Sequence, residues 1–228
     1  MGATKKWHYE EMRCGKALRG FWWCEIRGSR PGPKLAVIAG QHGMEPTGPA
    51  VLANLLHELN PSRIRGTLCA IPLANVEALR CGFECEIPRR ELARALKLSM
   101  KPGHCPLGLK RNTCGRNLNR LWPGNRRGSI HERLVAAMWE HVAVDADCVI
   151  DMHCWQDWGP PGAIFYDEAS LTAARHFHIP YLHRYPQSDP PGILTLCAGM
   201  LSGTGGQSSI SKGQSALQFI RAERLPPA

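Results

Sequence analysis

Apolar positions fall in short blocks separated by glycine, proline and polar clusters. "KLAVIA" (34–39) is a compact apolar run of strand length and reads as a short buried strand. "PTGPAVLANLLHEL" (46–59) spaces Val51, Leu52, Leu55, Leu56 and Leu59 as one face of a helix, with Pro46 suited to its first turn. "GTLCAIPLAN" (66–75) predicts a second strand running into a polar turn. "IHERLVAAMWEHVA" (130–143) predicts a helix, "DCVIDMHC" (147–154) a third buried strand, and "SLTAARHFHI" (170–179) a further helix. Ahead of them, "ALRGFWWCEIRG" predicts a strand that "SRPGP" brings to a stop. Glycine and proline break residues 77–115 repeatedly.

Strands alternating with helices predict an α/β fold: a mixed, largely parallel central sheet flanked by helices. The 228 residues suit one domain and can bury an ordinary core. The expected organisation is an N-terminal extension (1–33) packed on a main domain (34–200). The Gly/Ser-rich tail (201–228) reads as atypical, truncated or disordered.

Charge and cysteine content narrow the partners. The net charge of +9 favours anionic ligands. The basic residues are scattered, without interleaved aromatics or a DNA-reading motif, so no nucleic-acid partner is expected. No run is long enough to cross a membrane, and "MGATKKWHYEEMRCGK" has no apolar signal core, so no membrane partner and a cytoplasmic location are expected. The ten cysteines show no C-x-x-C pair and read as free thiols. Cys81 and Cys85 have the spacing of one helical face, which is weak evidence for zinc.

Three stretches carry candidate chemistry. In "AGQHGMEPTG" (39–48), a turn tightened by Gly40 and Gly43 sets His42 three residues before Glu45. Catalytic zinc sites use three such protein ligands and an open position; a helix-capping polar turn is the alternative. In "DMHC" (151–154), Asp151 and His153 are two apart on a strand and face the same side. His153 would complete a His/Glu/His set and Asp151 would orient a ligand from behind, unless the pair merely caps the strand. Both stretches lie at the carboxyl ends of strands, where ligands gather in such sheets. In "CGRNLNRLWPG" (114–124), Arg116, Asn117, Asn119 and Arg120 crowd together. An arginine fork grips carboxylates bidentately; a solvated basic loop is the alternative. His176, His178 and His183 read as surface or cleft histidines, with the first two diverging on a helix. Trp155 and Trp158 line a pocket or the core, and Cys154 faces away from His153.

Taken in order and with their gaps, "GQHGMEPTG", "GRNLNRLWPG" and "VIDMH" resemble the zinc-dependent succinylglutamate desuccinylase/aspartoacylase family, of zinc-carboxypeptidase-like fold. "CAIPLANVEAL" and "PGILT" are similar to further family segments, so the resemblance covers roughly residues 34–197. It implies one Zn²⁺ per chain, held by His42, Glu45 and His153, and a catalytic domain over 34–200. Asn119 and Arg120 would grip a substrate carboxylate. Arg111 would contact substrate or polarise its carbonyl, with Arg116 competing for the role. The implied reaction is hydrolysis of an N-acylated amino acid or similar small anionic substrate. The family's general-base glutamate belongs near position 212, where this chain reads "GGQSSISKGQSAL". Three readings stay open. Glu223 is the base, the tail after about residue 198 is not family sequence, or the chain is a zinc- or ligand-binding relative without hydrolysis. A zinc carboxypeptidase acting on peptides is the competing activity.

Overall fold

A computed structural model of the chain describes residues 2–82, 86, 116–155, 162–165, 168–178, 181–184 and 215–222. The strands are β1 (Thr4–Cys14), β2 (Ala17–Arg27), β3 (Arg30–Ala39), β4 (Arg65–Ile71), β5 (Cys148–Trp155), β6 (Gly162–Phe165), β7 (Tyr181–Arg184) and β8 (Ser215–Ala222). The helices are α1 (Thr47–Glu58), α2 (Val76–Cys81), α3 (Ile130–Met138) and α4 (Glu168–Arg175); a π-helical turn, Trp139–Ala143, prolongs α3. The strands make one mixed sheet in the order β1-β2-β4-β3-β5-β8-β6-β7. Its centre, β4-β3-β5-β8, is parallel, while β2 pairs antiparallel with β4 and β6 antiparallel with β8.

Side-chain alternation assigns each strand residue to one of two cores. Phe21, Trp23, Ala36, Ile38, Cys69, Ile71 and Val149 face Leu134, Val135 and Met138 of α3. Cys24, Ile26, Val37, Ala39, Leu68, Ala70 and Ile150 face Leu52 and Leu56 of α1 and Ala174 of α4. Burial on both faces explains the apolar runs 35–39 of β3 and 148–150 of β5. Each large aliphatic side chain so buried contributes about 1.5–3 kcal/mol.

Connectivity places the site. β3 leads through α1 to its neighbour β4, whereas β5 lies on the other side of β3. The carboxyl ends of β3 and β5 therefore flank the point where strand order reverses, the customary ligand crevice of such sheets. Their register is fixed, with Ile38 opposite Asp151 and Ala39 opposite Met152.

Several elements differ from the sequence expectation. The charged segment before β2 is itself a strand: β1 forms an edge hairpin with β2 through Gly15, whose φ of +57° suits glycine. The half-buried His8, Glu10 and Met12 of β1 reach the Trp23 side, two of them polar, so its pattern is too polar to read as a strand. Within the tail, expected to be atypical, truncated or disordered, Ser215–Ala222 forms β8, paired on both sides by β5 and β6. Helix α4 stops at Arg175, so His176 and His178 lie in an exposed turn rather than on the predicted helix; His178 has φ +51°. Helix α2 ends at Cys81 before left-handed Gly82; Cys85, whose spacing from Cys81 suits one helical face, lies outside the described residues. Among the described residues no helix is long and apolar enough to cross a membrane.

Candidate metal centre

Tight backbone packing shapes the loop after β3. Ala74 N–H donates to Ala39 O and Asn75 N–H to Gly40 O, both at 2.9 Å, which zips the segment after β4 onto the end of β3. Gly40 turns with φ +69° against Leu73 and Pro49. Gly43 abuts α2 so closely that a Cβ there would lie 1.9 Å from the Ala78 carbonyl oxygen. Asn75 caps α2 by accepting from Ala78 N–H and donates through its own amide to Gln41 O at 3.2 Å. The loop then turns at His42–Glu45 and enters α1.

These contacts bring His42, Glu45 and His153 together, with one ligand atom from each inside a 4.8 Å cluster. Glu45 spans the pair: Oε1 lies 2.8 Å from His42 Nδ1, and Oε2 lies 2.9 Å from His153 Nδ1. Cys154 N–H also donates to Glu45 Oε2 at 3.1 Å. The far nitrogen of each ring is held from behind. His153 Nε2 lies 2.7 Å from Asp151 Oδ2, and His42 Nε2 lies 3.2 Å from Asn117 Oδ1. Asn117 Oδ1 also accepts from the backbone N–H of Asn119, so it meets His42 as an acceptor and the Nε2 of that ring donates. Both Nδ1 atoms thus face the same carboxylate.

Electrostatics follow from this crowding. Burial alone would push the Glu45 carboxyl up, but hydrogen bonds from His153 and His42, with the accompanying charge interactions, hold it down at about 2. Burial alone would lower His153, but the charge and hydrogen bond of Asp151, followed by those of Glu45, carry it up to about 10. Without a metal, the cluster is a carboxylate–imidazolium–carboxylate chain. With both back nitrogens satisfied, two imidazoles and one carboxylate are the donor set of a catalytic zinc site, so the residues fit that ion.

The segment carrying Asn119 and Arg120 is anchored next door. Leu118 and Trp122 are buried in the α3-side core, and a 3-10 turn, Leu118–Arg120, runs between them. Asn117 caps that turn while touching His42. Asn119 is half-buried, and Arg120 is exposed with Nη1 donating to Asn119 O at 3.3 Å. Arg116 is half-buried one residue before Asn117. Arg111, Glu223 and Trp158 lie outside the described residues. The expected orienting role of Asp151 has its contact in the Nε2–Oδ2 hydrogen bond. Sequence reasoning did not single out Gln41, Asn75 or Trp122. Gln41 is fully buried and donates through its amide to Asp151 Oδ2 at 2.7 Å, while accepting from Trp122 Nε1–H at 2.8 Å. Its position beside His42 was the only signal for it.

The class defined here is an α/β protein whose switch point carries a His/Glu/His cluster that could hold a metal ion. Residues 31–158, more than half the chain, match the succinylglutamate desuccinylase/aspartoacylase catalytic domain. The chain belongs to that family. Solved structures share the fold. A succinylglutamate desuccinylase/aspartoacylase from Rhodobacter sphaeroides superposes with a TM-score of 0.68 at 17% identity, over 96% of this chain and 58% of its own. The product-bound ectoine utilization protein EutE (DoeB) from Ruegeria pomeroyi gives 0.67 at 18%, over 96% and 60%. An aspartoacylase family protein from Mesorhizobium loti gives 0.66 at 19%, over 96% and 62%. The chain thus spans less than two thirds of the length of each of these relatives. No curated protein matches it.

Proposed function

We propose that this chain carries the zinc site of an amide hydrolase that cleaves an N-acylated amino acid or a similar small anionic substrate. The observation that carries the reading is the convergence of His42 Nδ1, His153 Nδ1 and the Glu45 carboxylate, with both rings buttressed from behind. One zinc ion per chain, held by these three residues, would lower the pKa of a bound water to roughly 7 and polarise the scissile carbonyl. Asn119 and Arg120, on the turn that Asn117 ties to His42, would bind the substrate carboxylate, with Arg116 and Arg111 as further cationic contacts. Membership of a hydrolase family and the net charge of +9 favour this substrate class.

Glu223 is our assignment for the general base. It is the only acidic residue after Asp189. Its carboxylate would take the proton of the attacking water and return it to the leaving amine.

Metal analysis of purified protein, with hydrolysis of N-acyl amino acids and of peptides measured in parallel, tests the reading. We expect stoichiometric zinc that His42→Ala abolishes. Glu223→Gln should keep the zinc and lose about 10²–10⁴-fold in kcat. Zinc retained in full after His42→Ala would overturn the site. Faster turnover of peptides would replace the proposed substrate class.

A further inference from the structure

We infer that Gln41 and Trp122 are positioning residues that fix the ring of His153 by fixing Asp151. The inference rests on the metal reading of the site. It starts from a buried hydrogen-bond chain that crosses from the α3-side core to the ligand cluster. Trp122 is 5% exposed, Gln41 and Asp151 0%, and His153 6%, so no solvent competes for these groups. Trp122 Nε1 lies 2.8 Å from Gln41 Oε1, Gln41 Nε2 lies 2.7 Å from Asp151 Oδ2, and Asp151 Oδ2 lies 2.7 Å from His153 Nε2.

The polarity of this chain is set at its far end. An indole N–H donates and never accepts, so the atom of Gln41 facing it must be the carbonyl oxygen. The amide NH₂ is then forced towards Asp151, which accepts it. The same oxygen, Oδ2, accepts from His153, so Nε2 of that ring carries a proton. Nδ1 is left facing Glu45 as the atom able to bind a metal. Asp151 Oδ1 is buried and has no hydrogen-bond partner, so both donors converge on one oxygen and no second hydrogen bond holds the carboxylate's plane. Without Gln41, the His153 ring would be the one side-chain donor left to the Asp151 carboxylate among the described residues, and the hydrogen-bonded pair would lose its link to the core. Gln41 ties this oxygen to Trp122, which the core holds edge-on to Trp139 at 6.5 Å between centroids. The adjacent residue His42 is a ligand from the same loop, so Gln41 couples the two histidines through chain and hydrogen bond together.

Two measurements on the full chain test this. Zinc affinity is measured by competition with a chromophoric chelator for the parent, Gln41→Met, Trp122→Phe and the double variant, each checked by thermal denaturation. Gln41→Met keeps the side-chain length and removes both hydrogen bonds; Trp122→Phe keeps an aromatic ring in the core and removes the donor. Zinc binding should weaken roughly 10–100-fold in Gln41→Met, the range known for groups that orient ligating histidines. It should weaken in the same direction in Trp122→Phe, and the double variant should be no weaker than Gln41→Met alone, because Trp122 acts through Gln41. In the metal-free protein, the hydrogen-bonded ring N–H resonance of His153 in the proton NMR spectrum should shift or broaden in both single variants. A purely packing role would leave that resonance in place. Parental zinc affinity in Gln41→Met, independent effects that add in the double variant, or an unmoved His153 resonance would each overturn the inference. Equal zinc binding by the parent and His42→Ala would instead overturn the metal reading, and the resonance would still decide the role of Gln41.

Discussion

Asp151 and Glu45 share one imidazole, and their two roles differ. Asp151 holds Nε2 while Glu45 faces Nδ1. In the metal-free protein His153 is protonated at neutral pH, since its pKa sits at about 10. On the proposed zinc reading, the ion would displace the Nδ1 proton, so binding would release a proton and weaken as pH falls. Calorimetric titration in buffers of different ionisation enthalpy should show that release at pH 7, and His153→Ala should abolish it. The sign for metal-free stability is separate. A raised histidine pKa stabilises the fold fully below its ordinary value of 6.5, and that stabilisation is lost as pH rises through about 10. Asp151→Asn, which withdraws the accepting carboxylate, should cost about 10–100-fold in zinc affinity. At this scale the three side chains that gather into the candidate metal cluster were legible, because His, Glu and His at strand ends are unusual for pure core. The residues behind them were not: an amide such as Gln41 shows its function only through partners that lie 81 and 110 residues away.

The loop between β3 and α1 depends on α2 for its shape. Gly43 meets the Ala78 carbonyl at a distance no side chain tolerates, so Gly43→Ala must push α2 and the ligand loop apart. Overpacking of this kind costs about 1–3 kcal/mol. We expect a lower denaturation midpoint together with weaker zinc binding, and a melt with parallel chelator competition reads both. Gly15→Ala, at a hairpin turn with open space around it, should lower stability without touching the metal. Elements with a clear apolar pattern, α1, β4, α3 and β5, were legible at nearly their observed bounds, whereas β3 was legible over 34–39 only: it starts at Arg30, inside the segment read as a Pro/Gly break. β1 and β8 were not. One is an edge strand of mostly polar sequence, and the other gains strand identity only through ladders to β5 and β6.

Across the whole molecule, charged residues tie distant layers together. Glu86 pairs with Arg19 of β2 and with His131 of α3, the latter at 2.9 Å. The hydrogen bond from His131 draws the Glu86 carboxyl down, burial opposes it, and Arg19 adds its own hydrogen bond and charge; the result is about 2. A depressed carboxylate stabilises the fold above its ordinary value of 4.5, and that stabilisation is lost as pH falls towards 2. Partial exposure screens the pair, so the effect is modest. Glu86→Gln should lower the urea midpoint at pH 7, and the gap to the parent should close as pH is taken below 4. The sequence by itself determined the α/β class, the strands that end at the site and the three side chains suited to a metal. Those depend on local periodicity and on residue chemistry, which are written in consecutive letters. Only the tertiary structure decided that β3 and β5 are neighbours at the switch point, that both rings offer Nδ1 to one carboxylate, and that a tryptophan in the core is hydrogen-bonded through Gln41 to Asp151. Those depend on contacts between residues far apart in the chain, which packing selects and no local pattern records.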